Sequence, residues 1–164
     1  MSYLDHLVEK HSWNGHCNAR GLDIIKAFEG WSSTPYLCPA GIWTIGWGAT
    51  KSLDGSPVAK DSPEISKTEG EALLRMELRH AERAIRLLVK VPLSENQFSA
   101  LCSWVFNLGS GRLQSSTLRA KLNRGDYEGA GQEFLKWCMA GGRKLPGLVR
   151  RRKAELELWR TYLL

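Results

Sequence analysis

The chain has 164 residues, 43% of them hydrophobic and 24% charged, an ordinary composition for a folded domain and one that excludes intrinsic disorder. It is long enough to bury one proper core, and no apolar run reaches the length of a membrane span, so stable membrane insertion is not expected. The formal net charge of +6 and pI of about 9.3 favour polyanionic partners, and nucleic acid, an anionic membrane surface and an acidic cell wall all qualify on charge alone.

The chain opens on MSYLDHLVEKHSWNGHCNARG, which lacks the basic start and apolar stretch of a secretory signal. Synthesis in the bacterial cytoplasm is expected, with release by another agent if the target lies outside. His6, His11 and His16 recur every five residues and fall on different faces of a helix, so residues 1–17 read as a solvated arm or helix, not a metal site. From Asn18 onward, Leu22, Ile25, Ala27 and Phe28 have helical spacing, with Asn18 as the cap and Gly30 as the stop. Glu29 then occupies the last turn, at the negative end of the helix dipole, a place that favours the protonated carboxyl.

Residues 31–60 are rich in Gly, Pro, Ser and Thr, with β-favouring stretches at 34–37 and 42–48 and the turn Pro39-Ala40-Gly41 between them, which predicts a hairpin. Ser66-Lys67-Thr68-Glu69 fits a capping box, and Leu73, Leu74, Leu78, Ala81, Ile85 and Leu88 form an apolar stripe, so a helix long enough to bridge two lobes is expected. Ser94 caps a further helix carrying Phe98, Leu101, Cys102, Val105 and Phe106 and ending at Gly109. Helices follow at about 115–123, 126–139 and 147–163, separated by residues 123–125 and by Gly141-Gly142. The expected architecture is a mainly helical α+β domain spanning 1–164: the arm, a small hairpin lobe at about 18–65, and a long helix with a helical lobe at about 66–164, with a groove between the lobes.

Cleaving a glycosidic bond requires a carboxylic acid beside the leaving oxygen, and an opposing group that stabilises the cationic centre or positions water. Glu29, flanked by Phe28 and Trp31, suits the first role, and the hairpin after it presents Cys38 and Thr44. Taken singly, a helix-end Glu is ordinarily a solvated carboxylate, a Cys a packing residue and a Thr a strand former. Their joint spacing inside a Gly/Pro-rich hairpin is the specific signal: Glu, eight residues, Cys, five residues, Thr.

The run Gly21-Leu-Asp-Ile-Ile-Lys-Ala-Phe-Glu29-Gly, followed by Pro35-Tyr-Leu-Cys38-Pro-Ala-Gly-Ile-Trp-Thr44-Ile-Gly-Trp-Gly48, closely resembles the phage-type lysozymes, glycoside hydrolase family 24. Gln97-Phe-Ser-Ala-Leu, Phe106-Asn107-Leu-Gly109, Ser116-Thr117-Leu, Phe134-Leu-Lys-Trp137, Pro146-Gly147-Leu-Val-Arg-Arg151 and Glu155 extend the resemblance in the same order over about residues 20–163. The resemblance implies a lysozyme-like fold and a muramidase, cutting the β-1,4 bond between N-acetylmuramic acid and N-acetylglucosamine in peptidoglycan glycan strands. In that reading Glu29 donates the proton, and Thr44 helps hold the attacking water or stabilise the cation. Cys38 stands where the family usually carries Asp. Phe106, Asn107, Thr117 and Trp137 match substrate-side positions. No cofactor and no metal are implied, a monomer is expected, and the setting is a phage or prophage endolysin reaching the periplasm through a holin. A lytic transglycosylase acting on the same bond is the alternative, and a wall-binding module without catalysis is disfavoured by retention of Glu29 and Thr44.

Two positions depart from the commoner pattern. A thiol at Cys38 is mostly neutral near pH 7 and stabilises a cation less well than a carboxylate. Gly48-Ala49-Thr50 replaces Gly-His-Thr and Glu77 replaces Asp, so a His–Asp contact between hairpin and long helix is lost and must be rebuilt in another way. Of the other cysteines, Cys102 and Cys138 lie among apolar residues and read as buried, and no CxxC pair points to zinc. An even count of cysteines permits a disulfide without dictating one. Trp43, Trp47, Trp104 and Trp159 read as core, and Arg143, Lys144, Arg150, Arg151, Arg152 and Lys153 as a solvated basic face, with a structural role left open for Arg150-Arg151, which also belong to a family motif. No nucleic-acid-binding module accompanies that face, so no nucleic-acid partner is expected.

Overall fold

The computed structural model describes residues 14–161; His6 and His11 lie outside them, as does most of the expected arm. Helix α1 (Ala19–Glu29) starts where the Asn18 side chain accepts from the Gly21 N–H at 3.0 Å, and it ends at Gly30, whose φ of 74° suits a residue without Cβ. The segment before it is docked, not free. Cys17 is 3% exposed, its N–H donates to Glu82 Oε1 at 2.9 Å, and His16 Nδ1 lies 2.8 Å from Glu82 Oε2. The solvated arm expected through residue 17 therefore gives way to a docked segment by His16, because a buried carboxylate on the long helix supplies an acceptor for this backbone.

The hairpin pairs β1 (Ser32–Leu37) with β2 (Trp43–Gly46), antiparallel, with Tyr36 opposite Thr44 and Leu37 opposite Trp43. Its tip closes through the Cys38 N–H on the Ile42 carbonyl at 3.0 Å and the Gly41 N–H on the Cys38 carbonyl at 2.8 Å. Ile45 packs with Ala49, Val58 and Leu73 in a small cluster of its own, apart from the main core.

Helix α2 (Lys67–Leu88) begins with the expected capping box, Ser66 and Glu69 satisfying each other's backbone N–H groups. Its 22 residues span about 33 Å. Leu73 belongs to the hairpin's cluster, whereas Leu74, Leu78, Ala81 and Ile85 belong to the main core, so one apolar stripe joins both. Helix α3 (Glu95–Leu108) is buried on every side from Asn96 to Val105, as a central helix must be. Around it stand α4 (Ser110–Ser115), α5 (Thr117–Asn123), α6 (Tyr127–Glu133) and α7 (Pro146–Arg160).

The C-terminal half departs from expectation in two places. An additional short helix, α4, follows Gly109 directly. The helix expected over 126–139 stops at Glu133, passes through a 3-10 turn (Phe134–Lys136), and gives way to a second hairpin, β3 (Met139–Ala140) with β4 (Arg143–Lys144). The cause is local: Gly141 and Gly142, with φ of 56° and 73°, form a two-residue turn that pulls the flanking residues into strand pairing. Phe134 stays fully buried, at 5.5 Å from Trp159 and 6.4 Å from Trp104 between ring centroids. The fold is α+β and mainly helical, as expected.

Candidate active site

Glu29 closes α1 with its side chain 27% exposed, and Oε1 accepts from Arg151 Nη1 at 2.9 Å. Arg151 projects from the second turn of α7, is itself 3% exposed, and lies 5.8 Å from the Phe28 ring centroid. On the other side, a Cβ built at Gly48 would stand 3.8 Å from Glu29 Oε2. The exit of β2 thus runs near the carboxyl, and the φ of 98° at Gly48 favours glycine there.

Thr44, four residues upstream, is 4% exposed and donates its hydroxyl to the Ile42 carbonyl at 3.0 Å. Cys38 is half-buried at the hairpin tip. Backbone N–H groups of Ile42 and then Ala40 lower its thiol below the ordinary range, the Thr44 hydroxyl contributes further, and burial opposes them. The structure therefore brings Cys38 and Thr44 together at one hydrogen-bonded tip, and brings Glu29 together with Gly48 and Arg151.

Where the His–Asp contact is lost, the groups that act on Glu77 of α2 come from the chain after the hairpin and from α1. Burial raises the Glu77 carboxyl, the Thr50 backbone N–H pulls it down, and the charge of Glu29 raises it further.

Behind Arg151 lies a network of buried charge. Its Nη2 donates to the Ser103 carbonyl at 3.2 Å, and its Nε is 3.4 Å from both Ser103 Oγ and Glu155 Oε1. Glu155, with no exposed surface, accepts from the Ser103 hydroxyl at 2.7 Å and from Arg152 Nη2 at 3.1 Å. Arg152 Nε sits 2.9 Å from Glu155 Oε2, an ionic contact whose angle is not that of a hydrogen bond. Burial pushes the Glu155 carboxyl up to about 7, against the pull of Arg152, Ser103 and Arg151. Arg151 and Arg152 are therefore core residues, not part of a solvated basic face; Arg143, Lys144, Arg150 and Lys153 are the exposed members of that cluster. The periodicity of α7 held the clue: Arg152, Glu155, Leu156 and Trp159 share one face, and that face is the buried one.

Of the expected substrate-side residues, Phe106 and Trp137 are half-buried and pack against the main core, while Asn107 and Thr117 are exposed. Asn107 Oδ1 accepts from Arg152 Nη2 at 2.9 Å, which ties it to the charge network. Trp137 stands edge-on to Trp104 at 5.3 Å, with Arg112 5.8 Å from its ring centroid. Trp47, Trp104 and Trp159 are buried, and Trp43 is half-buried. Among the described residues no group of three or more His, Cys, Asp or Glu could hold a metal ion. Two open concavities of about 440 and 350 Å³ flank the C-terminal part of α7, share Glu157 and Thr161, and include none of these residues.

An acid at a helix end, gripped from a second helix and faced by the exit of a Thr/Cys hairpin on a mainly helical frame, defines the class of lysozyme-like glycosidases. The chain belongs to the phage lysozyme family, whose sequence profile matches residues 26–155. It is 41% identical over 150 residues to an endolysin of Acyrthosiphon pisum secondary endosymbiont phage 1, covering 89% of this chain and 99% of that one. Among solved structures it is similar to a P22 lysozyme variant (TM-score 0.83, 36% identity, 89% and 99% coverage). It is also similar to the endolysin of Escherichia coli O157:H7 phage FAHEc1 (TM-score 0.79, 32% identity, 88% and 93% coverage). The protein is an endolysin-type glycosidase that hydrolyses peptidoglycan.

Proposed function

We propose that the protein is a muramidase in which Glu29 is the general acid and Cys38 and Thr44 form the opposing group. The observation that carries this reading is the asymmetric hold on Glu29. Arg151 occupies Oε1 at 2.9 Å, which leaves Oε2, beside the side-chain-free Gly48, to carry the proton toward a sugar oxygen. Across the bond, the Thr44 hydroxyl orients water, and the Cys38 sulfur, whose ionised form the backbone amides favour, faces the developing positive charge. Phe106, Asn107, Thr117 and Trp137 line the helical side of a groove between a small hairpin lobe and the helical lobe, within one domain. Glycan strands are the partner, the enzyme acts as a monomer, and it reaches the wall through a holin pore.

The endolysin and lysozyme relatives do not favour the lytic transglycosylase alternative. Digestion of purified peptidoglycan tests the reading. Wild type releases reducing muramic ends, whereas 1,6-anhydro ends would mean transglycosylation. Glu29→Gln loses at least about 10²-fold in rate, and Cys38→Asp stays active. A fully active Glu29→Gln removes the assignment.

A further inference from the structure

Arg151 stands between two carboxylates. Nη1 meets Glu29 at the surface of the protein and Nε meets Glu155 in its interior, while Nη2 is fixed on the Ser103 carbonyl. Every nitrogen of the guanidinium is committed, and at 3% exposure the group cannot turn toward solvent without breaking these contacts. Glu155 is the anchor of the arrangement. Its Oε1 receives Ser103 Oγ at 2.7 Å and Arg152 Nη2 at 3.1 Å in addition to Arg151. Burying such a cluster gives little net stability, because desolvation offsets the attraction and apolar side chains of similar volume serve as well. Its distinctive consequence is electrostatic, and it falls on Glu29.

A general acid must hold a proton, and the carboxyl of Glu29 meets the Arg151 guanidinium at 2.9 Å. We propose that Glu155 is a positioning residue for Glu29: it locks Arg151 in place and, when ionised, shares its positive charge, so that Glu29 retains its proton in the sugar-filled site. The proposal rests on Glu29 being the acid. The groups facing Glu155 are Arg151 and Arg152 from α7 and the Ser103 hydroxyl from α3. Asn107 of α3 and Cys138 bear on Arg152, and Glu29 of α1 is reached through Arg151. The cluster therefore sets two cations against two carboxylates, and with Glu29 protonated an ionised Glu155 is the negative partner left to Arg151. Once sugar displaces water, the lower local dielectric strengthens this coupling.

The test is the pH profile of kcat and KM on soluble glycan fragments for wild type, Glu155→Gln and Glu155→Asp. Below the pH at which Glu155 ionises, Gln and the protonated acid are equivalent, and rates stay within about twofold. Above it, Glu155→Gln leaves Arg151 to act on Glu29 alone. The alkaline limb of kcat then moves to lower pH by at least about half a unit, KM is unchanged, and Glu155→Asp restores part of the shift. A purely structural role scales activity by one factor at every pH and leaves the limb where it was, which overturns the proposal. Should Glu155→Gln not fold, Ser103→Ala serves instead: it withdraws the hydroxyl that favours the ionised carboxyl and moves the limb the same way by a smaller amount. An unmoved limb in Ser103→Ala then overturns the proposal. Glu29→Gln separates the two ideas: an active variant removes the acid assignment, and a dead one with an unmoved limb in the Glu155 series removes the positioning role alone.

Discussion

Cys38 differs from the other three cysteines in access. Cys17, Cys102 and Cys138 are 3%, 0% and 7% exposed, whereas Cys38 is half-buried at a hairpin tip and hydrogen-bonded from the Ile42 and Ala40 amides. A thiolate is the reactive form, and those amides favour it. Iodoacetamide is therefore expected to label Cys38 first, with a rate that rises with pH around a midpoint below that of a free thiol. Peptide mapping by mass spectrometry follows this directly; Thr44→Val should move the midpoint upward, and earlier labelling of a buried cysteine would contradict the geometry. The spacing of Glu29, Cys38 and Thr44 was legible in the sequence because a hairpin ties residues close along the chain. Arg151 was not, because a residue 122 positions from Glu29 reaches it only when α7 packs against α1 and α3.

At the scale of elements, α2 joins the two apolar clusters, and Gly70 in its first turns sets how closely the hairpin approaches. A Cβ there would stand 2.4 Å from the Trp31 ring and 3.3 Å from that of Trp47, two rings already packed at 4.4 Å between centroids. Gly→Ala within a helix ordinarily adds about 1 kcal/mol, but overpacking of this kind costs about 1–3 kcal/mol. The second effect wins where the obstacle is an aromatic ring held by another. Gly70→Ala is expected to lower the urea midpoint, and a raised midpoint would show that Trp31 moves aside freely. Element starts were largely readable, since Asn18, Ser66 and Ser94 cap their helices with their own side chains. The break after Glu133 was harder to see. Phe134, Trp137 and Cys138 keep helical spacing, yet the Gly141-Gly142 turn draws the neighbouring chain into a hairpin.

For the molecule as a whole, buried carboxyls shape the dependence of stability on pH. Burial first, and against Arg152, Ser103 and Arg151, raises Glu155 from 4.5 to about 7, so the folded state holds this proton where the unfolded chain has released it. Its contribution to stability therefore falls as pH rises from about 4.5 to about 7, by an amount on the order of 3 kcal/mol, and is level above. Glu77, raised chiefly by burial, acts in the same sense. Glu71, lowered chiefly by its hydrogen bond from Lys26, loses stability instead as pH falls through its lowered range. Maximum stability is expected on the acidic side of neutral. Thermal melts across pH 4–9 check it: the fall in Tm toward neutral should be clearly shallower in Glu155→Gln, and equal slopes would show that Glu155 does not set it.

The sequence by itself determined the mainly helical class, the caps, the hairpin with its Thr and Cys, the acid at the end of α1 and the family resemblance, because each rests on periodicity, turn chemistry or residues near one another in the chain. Tertiary structure alone decided what surrounds that acid. Arg151 and Arg152 of the apparent basic face of α7, and Glu155 with them, were turned inward because the packing of α7 on α3 puts them opposite Ser103 and Asn107, which supply polar partners. Charge pattern reads such residues as solvated, since a buried charge is costly until its partners are present, and those partners lie on other helices.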